Sequence, residues 1–380
     1  MKSRFALCAV LLSCLELAPG WAWGEDLIPR AAWHRAIGAP LSDPGTKKPT
    51  LEPSHIDDGY WQGAPLGGFG AGTFSRDYRG DFSRWHLKAG VHKYQTIYAN
   101  QFAMYQKAEG ASEGIAQVLT ADHPSGSGLS SWKWDYPVGA GDYYALYPKS
   151  WFDYRWDRFP AHVVLEQFSP ILPDNYRETS FPVAVYRWHA TNPTQQAVTV
   201  SVMLSWTNMV GWLRTFSRDF RGHLSAGNFN RFVKQDGTAG SVKGIVFDRN
   251  RTGPVQNEWD GQLVIAAQES PGVEISYQTT FSSDTDGKAV WAPFAKDGRL
   301  ADSDESWTSS DEDLEESDSH GDRLGFPGGR IWLGTEVVSA LHGFLRHERN
   351  QGLEHRAGRL GLGSALDGRH CRLAGTLHQR

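Results

Sequence analysis

The sequence predicts an all-β protein: a large antiparallel sandwich of two sheets, with an extended N-terminal arm and a disordered C-terminal tail. Short runs with strand-like alternation follow one another over about residues 59–300, and turn signals separate them. No window in this region keeps a helical stripe of apolar residues for three turns. Many strands without long helices favour two sheets packed face to face.

Residues 1–24 have the pattern of an export signal. Lys2 and Arg4 form a charged end, residues 5–15 an apolar core, and residues 22–24 a small-x-small cleavage site. The core is too short to span a bilayer. A lipoprotein signal ending at Cys14 is the alternative, but the bulky residues before that cysteine fit it poorly. We therefore expect an exported protein, periplasmic or secreted, without a transmembrane segment.

Cysteine and charge content narrow the possible partners. Once the leader is removed, Cys371 is the one remaining cysteine, so the sequence predicts neither a disulfide nor a thiolate metal site. The histidines lack helical or Cys-x-x-Cys companions, so we predict no metal and no cofactor. The net charge of −5 gives no support for a nucleic-acid partner.

Residues 25–58 are rich in proline and glycine and show no period, which predicts an arm that crosses the surface. Ile28, Trp33 and Ile37 are its expected anchors.

The sandwich is predicted to span residues 59–300. Residues 198–206 alternate apolar and polar side chains, which predicts a half-buried strand, while residues 181–190 are apolar on both faces. The turn signal at Asn192-Pro193 joins them into a predicted hairpin. The other predicted strands are 101–107, 114–120, 161–168, 228–235, 241–248, 261–268 and 273–278.

The C-terminal part changes character twice. Residues 301–320 form an acidic, serine-rich linker of the kind that stays solvated. Residues 321–380 contain no lysine and are rich in arginine, glycine and leucine, without strand alternation. Two interpretations stay open here: an authentic disordered tail, or an aberrant tail produced by a frameshift, which sequencing of the coding DNA would reveal.

A glycine- and arginine-rich stretch near the start of the sandwich stands out. Its glycines indicate a bulge or a close approach of backbone, and its arginines, interleaved with aromatic rings, suit stacked and partly buried contacts. A phosphate-binding loop would need a helix directly afterwards, whereas residues 73–76 continue as a strand. We predict an interdomain or structural role for Gly67, Gly68, Gly70, Gly72, Arg76, Arg79, Arg84 and Trp85.

Three ordered blocks of sequence resemble one known family. They are PLGGFGAGT at 65–73 with SRDYRGDFSRWHLKAGVHKYQT and ANQFAMY after it, SSWKWDYPVGAGDYYALYPKSWFDY at 130–154, and FSPILPDNYRETSFPVAVYRW at 168–188. They are similar to the N-terminal domain of glycoside hydrolase family 116, the family of the non-lysosomal glucosylceramidase and of bacterial β-glucosidases. The resemblance covers roughly residues 27–300.

The resemblance implies a β-sandwich and a hydrolase that cleaves β-glucosidic bonds with retention. In that family an (α/α)6 barrel carries the nucleophile and the acid/base, and no residue of this chain matches either position. The implied partner is that barrel, in cis or in trans, and a β-glucoside or glucosylated lipid would be reached only through it.

The residues themselves offer two weaker candidate sites. A retaining glycosidase needs two carboxyl groups about 5–5.5 Å apart, and no sequence context singles out such a pair, so we predict no catalytic residue. Asp77 and Asp81 lie among arginines and are expected to form ion pairs. The other carboxylates considered are Asp135, Asp153, Glu166, Asp174 and Glu178.

Trp132 and Trp134 are two residues apart, which would place both indoles on one face of a strand. Such a pair can stack on a sugar or pack at a domain interface, and both interpretations stay open.

The function predicted is therefore that of a non-catalytic N-terminal sandwich of a retaining β-glucosidase, truncated before its catalytic domain. The alternatives are a free-standing carbohydrate-binding module and a subunit that partners a separately encoded barrel.

Overall fold

The computed structural model describes residues 8–17, 27–40, 63–88, 91–94, 96–210, 227–237, 240–250, 262–305, 308 and 336–345. These residues form seventeen strands and two short helices. The helices are α1 (Tyr176–Thr179) and α2 (Lys288–Asp297). The strands are β1 (Cys8–Leu17), β2 (Trp33–Ala36), β3 (Thr73–Arg76), β4 (Phe82–Lys88), β5 (Val91–Tyr94), β6 (Gln101–Ala108), β7 (Ile115–Val118), β8 (Gly141–Leu146), β9 (Lys149–Tyr154), β10 (His162–Phe168), β11 (Val183–Thr191), β12 (Val198–Thr207), β13 (Asn228–Gly237), β14 (Gly240–Arg249), β15 (Gln262–Gln268), β16 (Val273–Gln278) and β17 (Glu336–Leu345).

The strands make three sheets, which confirms the predicted all-β class. The large sheet has nine strands in the order β13-β14-β15-β1-β11-β10-β9-β8-β2, and a second sheet has five in the order β16-β17-β12-β6-β7. A small sheet of β3, β4 and β5 completes the fold. Pairing is antiparallel except at β1, which runs parallel to both of its neighbours.

The core lies between the two larger sheets and is rich in aromatic rings. Phe102 of β6 contacts Tyr186 and Trp188 of β11, with ring centroids 5.0 and 5.1 Å apart. Along β11 every second side chain is buried, as period-two alternation requires. The small sheet adds Phe74 and Trp85, which both contact Trp206 of β12. Large rings buried on facing sheets thus hold the sandwich together.

The predicted hairpin over residues 181–206 is wrong. β11 pairs with β10 in the large sheet, whereas β12 pairs with β6 in the five-stranded sheet. The connection around Asn192 therefore crosses from one sheet to the other. β11 and β12 each have an apolar face. These faces point into the same core, one from each of the two larger sheets.

The burial of these two strands also differs from expectation. β12 is buried on both faces, because α2 and the turn after it cover its outer side, where Ser201 lies against Gly298. The hydroxyl of Tyr105, on neighbouring β6, donates a hydrogen bond to the Lys296 carbonyl at the end of α2. β11, expected to be covered on both faces, is instead half-exposed on its outer face, where Arg187 lies.

The arm supplies an edge strand that its aperiodic sequence did not indicate. β2 pairs with β8 at the margin of the large sheet. Ile28 and Ile37 are buried and Trp33 packs edge-on against Tyr143, 6.3 Å between centroids.

The terminal predictions fall mostly outside the described residues. Within the predicted leader, Cys8–Leu17 pairs as β1 between β11 and β15. Within the predicted tail, Glu336–Leu345 pairs as β17 between β12 and β16. Removal of the leader, the acidic linker and the nature of the tail stay predictions.

Candidate functional site

The glycine loop before β3 is shaped by close backbone contacts. Gly67 has φ +141°, and its N–H donates a 2.6 Å hydrogen bond to Ser169 Oγ. A Cβ on Gly68 would lie 2.5 Å from the Phe181 carbonyl oxygen and would also collide with that of Ser180. The loop therefore fits against the segment before β11 only because a side chain is missing there.

The other two glycines have different surroundings. Gly72 (φ +90°) approaches the backbone of Leu87 in β4, whereas Gly70 (φ +79°) has open space where a Cβ would be. Phe69, which lies between Gly68 and Gly70 in the loop, is exposed over 66% of its surface. The loop thus combines a tightly packed base with an outward-facing ring.

Arg76 is fully buried at the centre of the sandwich. Its guanidinium donates hydrogen bonds to the carbonyls of Gly80 and Leu119, at 2.8 Å each, and to the Tyr154 hydroxyl at 3.1 Å. Its Cζ also lies 4.2 Å from the centre of the Phe152 ring. Carbonyl oxygens and aromatic faces therefore compensate this cation, rather than the carboxylates expected from the sequence.

Asp77 and Asp81 lie together in the turn between β3 and β4. Oδ1 of Asp77 accepts hydrogen bonds from the N–H groups of Arg79 and Asp81, and Oδ1 of Asp81 accepts them from Thr120 Oγ1 (2.7 Å) and Gln101 Nε2 (3.2 Å). Burial raises the pKa of Asp77 to about 6. Burial, and then the negative charge of Asp77, raises the pKa of Asp81 to about 8.

This pair of carboxyl groups has a structural role. Through Thr120 and Gln101, Asp81 ties the β3–β4 turn to the ends of β7 and β6. Both carboxyl groups accept hydrogen bonds from groups of the protein, whereas a catalytic carboxyl group must be free to contact a substrate. Perturbed pKa values alone therefore do not make this pair an active site.

The remaining predicted structural residues surround this turn. Arg79 NH1 lies 3.3 Å from Asp122 Oδ2, and Nε of Arg84 donates to His86 Nε2 at 3.1 Å. Trp85 is buried and stacks on Phe74, 5.9 Å between centroids. These contacts lie within the domain, while an interdomain role for the same residues stays a prediction.

Trp132 and Trp134 stack on each other, with ring centroids 5.8 Å apart and planes 13° apart, although residues 131–136 are not a strand. Trp132 is buried, its Nε1 donates to the Gly287 carbonyl, and its ring also stacks on Trp291 of α2. Packing between this loop and α2 accounts for the burial of Trp132. Sugar binding stays a prediction, and the half-buried Trp134 is the better placed of the two for it.

Two further carboxylates are held by cations on the outer face of the large sheet. Burial alone would raise the pKa of Asp153, but hydrogen bonds from His162 and Arg155 hold that pKa below its usual value. Glu166 lies 2.6 Å from Lys149 Nζ and 3.0 Å from Arg187 NH1. Of the three others, Asp135 lies in the irregular segment before β8, Asp174 in the turn before α1, and Glu178 within α1.

A small apolar cavity of about 20 Å³ opens between the small sheet and the large one. Its lining is aliphatic, aromatic or thioether: Phe74, Trp85, Leu87, Trp206, Met209, Phe247, Leu263 and Val264. A sugar site needs several polar partners for hydroxyl groups. This cavity therefore suits apolar contact rather than glucose.

Within the described residues, no three His, Cys, Asp or Glu side chains cluster as metal ligands, and no helix has the length and apolarity to cross a bilayer. The predicted absence of a cofactor stays a prediction. Sequence reasoning did not single out Phe69 or Tyr176, both largely exposed, because isolated aromatic residues in loops carry no periodic signal.

Most of the chain is similar to a known protein family. Residues 63–319 match a family model described as beta-glucosidase 2, glycosyl-hydrolase family 116 N-term, a span longer than half of the 380 residues.

Proposed function

Since this chain belongs to glycosyl-hydrolase family 116 and contains the N-terminal domain of that family, we propose that it is the non-catalytic sandwich half of a retaining β-glucosidase. The observation that carries this proposal is the position of the match: the chain aligns with the part of the enzyme that precedes the catalytic domain. The reacting carboxylates would then belong to an (α/α)6 barrel, supplied in cis or by a separate polypeptide.

The contacts of the carboxylates in the described sandwich support the proposal that the catalytic carboxylates belong to the barrel. Asp81 holds a turn together through buried hydrogen bonds, and Glu166 lies between two cations. A retaining hydrolase needs one carboxylate free to attack the sugar and another free to transfer a proton. Groups fixed in this way serve the fold, so the substrate, a β-glucoside or a glucosylated lipid, would meet the barrel.

A carbohydrate-binding module is the second candidate, and the aligned indoles of Trp132 and Trp134 favour it. In that case, glucosides would quench Trp134 fluorescence without being hydrolysed.

We also propose export, on the strength of the leader pattern. Cleavage after Gly24 would remove β1 from between β11 and β15, so cleavage and this strand exclude each other in one molecule. The mass of the exported chain distinguishes a product that begins at Glu25 from one that retains Met1.

Turnover of an aryl β-glucoside by the purified 380-residue chain tests the proposed function. We expect no release of the aryl alcohol above the uncatalysed rate. Turnover that disappears on replacing a carboxylate within residues 63–300 would contradict the proposal, because the sandwich would then hold the catalytic group.

A further inference from the structure

The loop over residues 129–135, which carries Trp134, has a strained backbone at both ends. Leu129 and Asp135 have φ +55° and +62°, in the left-handed region that residues other than glycine rarely adopt. Asp tolerates this conformation, but a buried leucine gains nothing from it, so the contacts around Leu129 must impose it. Backbone strain of this kind is concentrated at active sites and ligand-binding sites. The loop is therefore a candidate binding element.

Hydrogen bonds fix this loop to the elements around it. The Leu129 N–H donates to the Thr285 carbonyl at 2.7 Å, and the Leu129 carbonyl accepts from Trp134 Nε1 at 3.0 Å. The side-chain amide of Gln117, in β7, donates to the Trp134 carbonyl at 2.9 Å. The indole is thus held in place before a ligand arrives. A side chain held in this way loses little freedom on association, which favours binding.

Polar side chains from three separate segments meet beside Trp134. Oδ1 of Asp135 lies 2.8 Å from His123 Nδ1. The backbone N–H of His123 donates to Asp122 Oδ1 at 2.9 Å, and Asp122 Oδ2 lies 3.3 Å from Arg79 NH1. The side chains of Asp135 and His123 are exposed over 68% and 61% of their surface, so a solute can reach them.

Tyr98 adds a second aromatic ring to this surface. Its ring lies at 89° to the ring of Trp134, with 5.7 Å between centroids, and both residues are half-buried. Burial and then the negative charge of Asp122 raise the pKa of Tyr98, because that carboxylate lies close to its hydroxyl. Two partly exposed rings are thus bordered by charged and polar groups. We name these residues the Trp134 site: Arg79, Tyr98, Asp122, His123, Trp134 and Asp135.

The Trp134 site combines the two kinds of group that a sugar ring needs. A pyranoside has an apolar C–H face that packs on aromatic rings, and hydroxyl groups that need a few well-placed polar partners. Carboxylates accept hydrogen bonds from such hydroxyls, and a guanidinium donates to them. The carboxylates of Asp122 and Asp135 outnumber the one guanidinium of Arg79, which disfavours an anionic ligand. The chemistry therefore selects a neutral sugar.

We propose that the Trp134 site binds a neutral pyranoside, with the sugar ring against Trp134 and Tyr98 and its hydroxyl groups on Asp135 and Arg79. The inference rests on the second candidate function, carbohydrate binding, and adds the polar groups that contact the sugar. It also replaces the predicted pair of indoles by a different pair of rings, because Trp132 is buried and Tyr98 reaches the surface.

Isothermal titration calorimetry of the 380-residue chain with methyl β-glucoside tests this site. Trp134→Ala should weaken binding at least about tenfold, because the ring contact is lost. Asp135→Asn should weaken it at least about fivefold, because asparagine tolerates the same backbone conformation but removes the charge that strengthens the hydrogen bond. Asp157→Asn, at an exposed carboxylate in the turn after β9, is the matched control and should bind as the wild type does. Glycerol, which has hydroxyl groups but no ring, should not compete.

The outcomes separate this site from the proposed functions. A wild-type chain that does not bind the glucoside would overturn carbohydrate binding and the Trp134 site together. Wild-type affinity in both variants, at the wild-type Tm, or equal competition by glycerol would overturn the site alone. If Trp134→Ala does not fold, Asp135→Asn decides between these outcomes by itself. The turnover assay decides the non-catalytic role of the sandwich whichever of these results is obtained.

Discussion

Arg76 and Asp81 show how charged groups are accommodated inside the sandwich. The buried guanidinium of Arg76 donates hydrogen bonds to two carbonyls and lies over the ring of Phe152, and these contacts offset the cost of burying its charge. Asp81 accepts hydrogen bonds from Thr120 and Gln101, yet its pKa is raised to about 8, first by burial and then by the charge of Asp77. Near neutral pH the folded chain therefore holds a proton there that the unfolded chain releases.

This proton makes stability depend on pH. The pKa of Asp81 is higher in the folded chain, so its contribution to the free energy of unfolding is complete below about pH 4 and is lost as the pH rises through about 8. Asp81→Asn keeps an acceptor oxygen for Thr120 and Gln101 but cannot ionise. Between pH 5 and pH 8.5, we expect the Tm of the variant to fall at least roughly 3 °C less than that of the wild type, equivalent to about 1 kcal/mol.

Thermal unfolding followed by circular dichroism across this pH range measures the difference. The exposed Asp157→Asn is the matched control and should follow the wild-type curve. Coincident curves for Asp81→Asn and the wild type would show that Asp81 is already ionised in the folded chain.

At the scale of the elements, the glycine loop is fixed by contact with the segment before β11. Gly68→Ala would place a methyl group against the carbonyl oxygens of Ser180 and Phe181, and backbone cannot move aside as a flexible side chain can. Overpacking of this kind costs roughly 1–3 kcal/mol. We expect the free energy of unfolding to drop by about that amount in urea titrations.

Gly126→Ala is the control for that substitution, because a Cβ at Gly126 meets open space. It should leave stability unchanged or raise it slightly, through the reduced freedom of the unfolded chain. Equal unfolding midpoints for the two variants would mean that the loop can shift away from β11 without cost.

The strands themselves were largely predictable from the sequence, whereas their pairing was not. The strands predicted over residues 101–107, 161–168 and 241–248 correspond to β6, β10 and β14, because short apolar and aromatic runs between turn signals favour strands. The turn signal at Asn192-Pro193 predicts a hairpin, yet such a signal carries no information on which sheet the next strand joins. Long-range pairing decides that, and a local sequence window does not contain it.

At the scale of the whole molecule, the family and the sandwich were predictable because ordered blocks of sequence and strand patterns agreed. The contacts of the candidate site residues were less predictable from the sequence. Ion pairs are expected between Asp77, Asp81 and the nearby arginines. Asp77 instead accepts a hydrogen bond from the Asp81 N–H, and Asp81 accepts one from Thr120, which only folding brings close to it.

The central claim is that this chain contributes the sandwich of a β-glucosidase and not the group that attacks the sugar. An activated 2-deoxy-2-fluoroglucoside tests it most directly, because retaining glycosidases form a covalent glycosyl intermediate on their nucleophilic carboxylate, which the fluorine stabilises. The chain and a co-expressed family 116 catalytic domain are incubated with it together, and the intact mass of each is recorded. We predict that the catalytic domain gains one fluoroglucosyl group while the mass of this chain is unchanged; a fluoroglucosyl group on an Asp or Glu of this chain would contradict the claim.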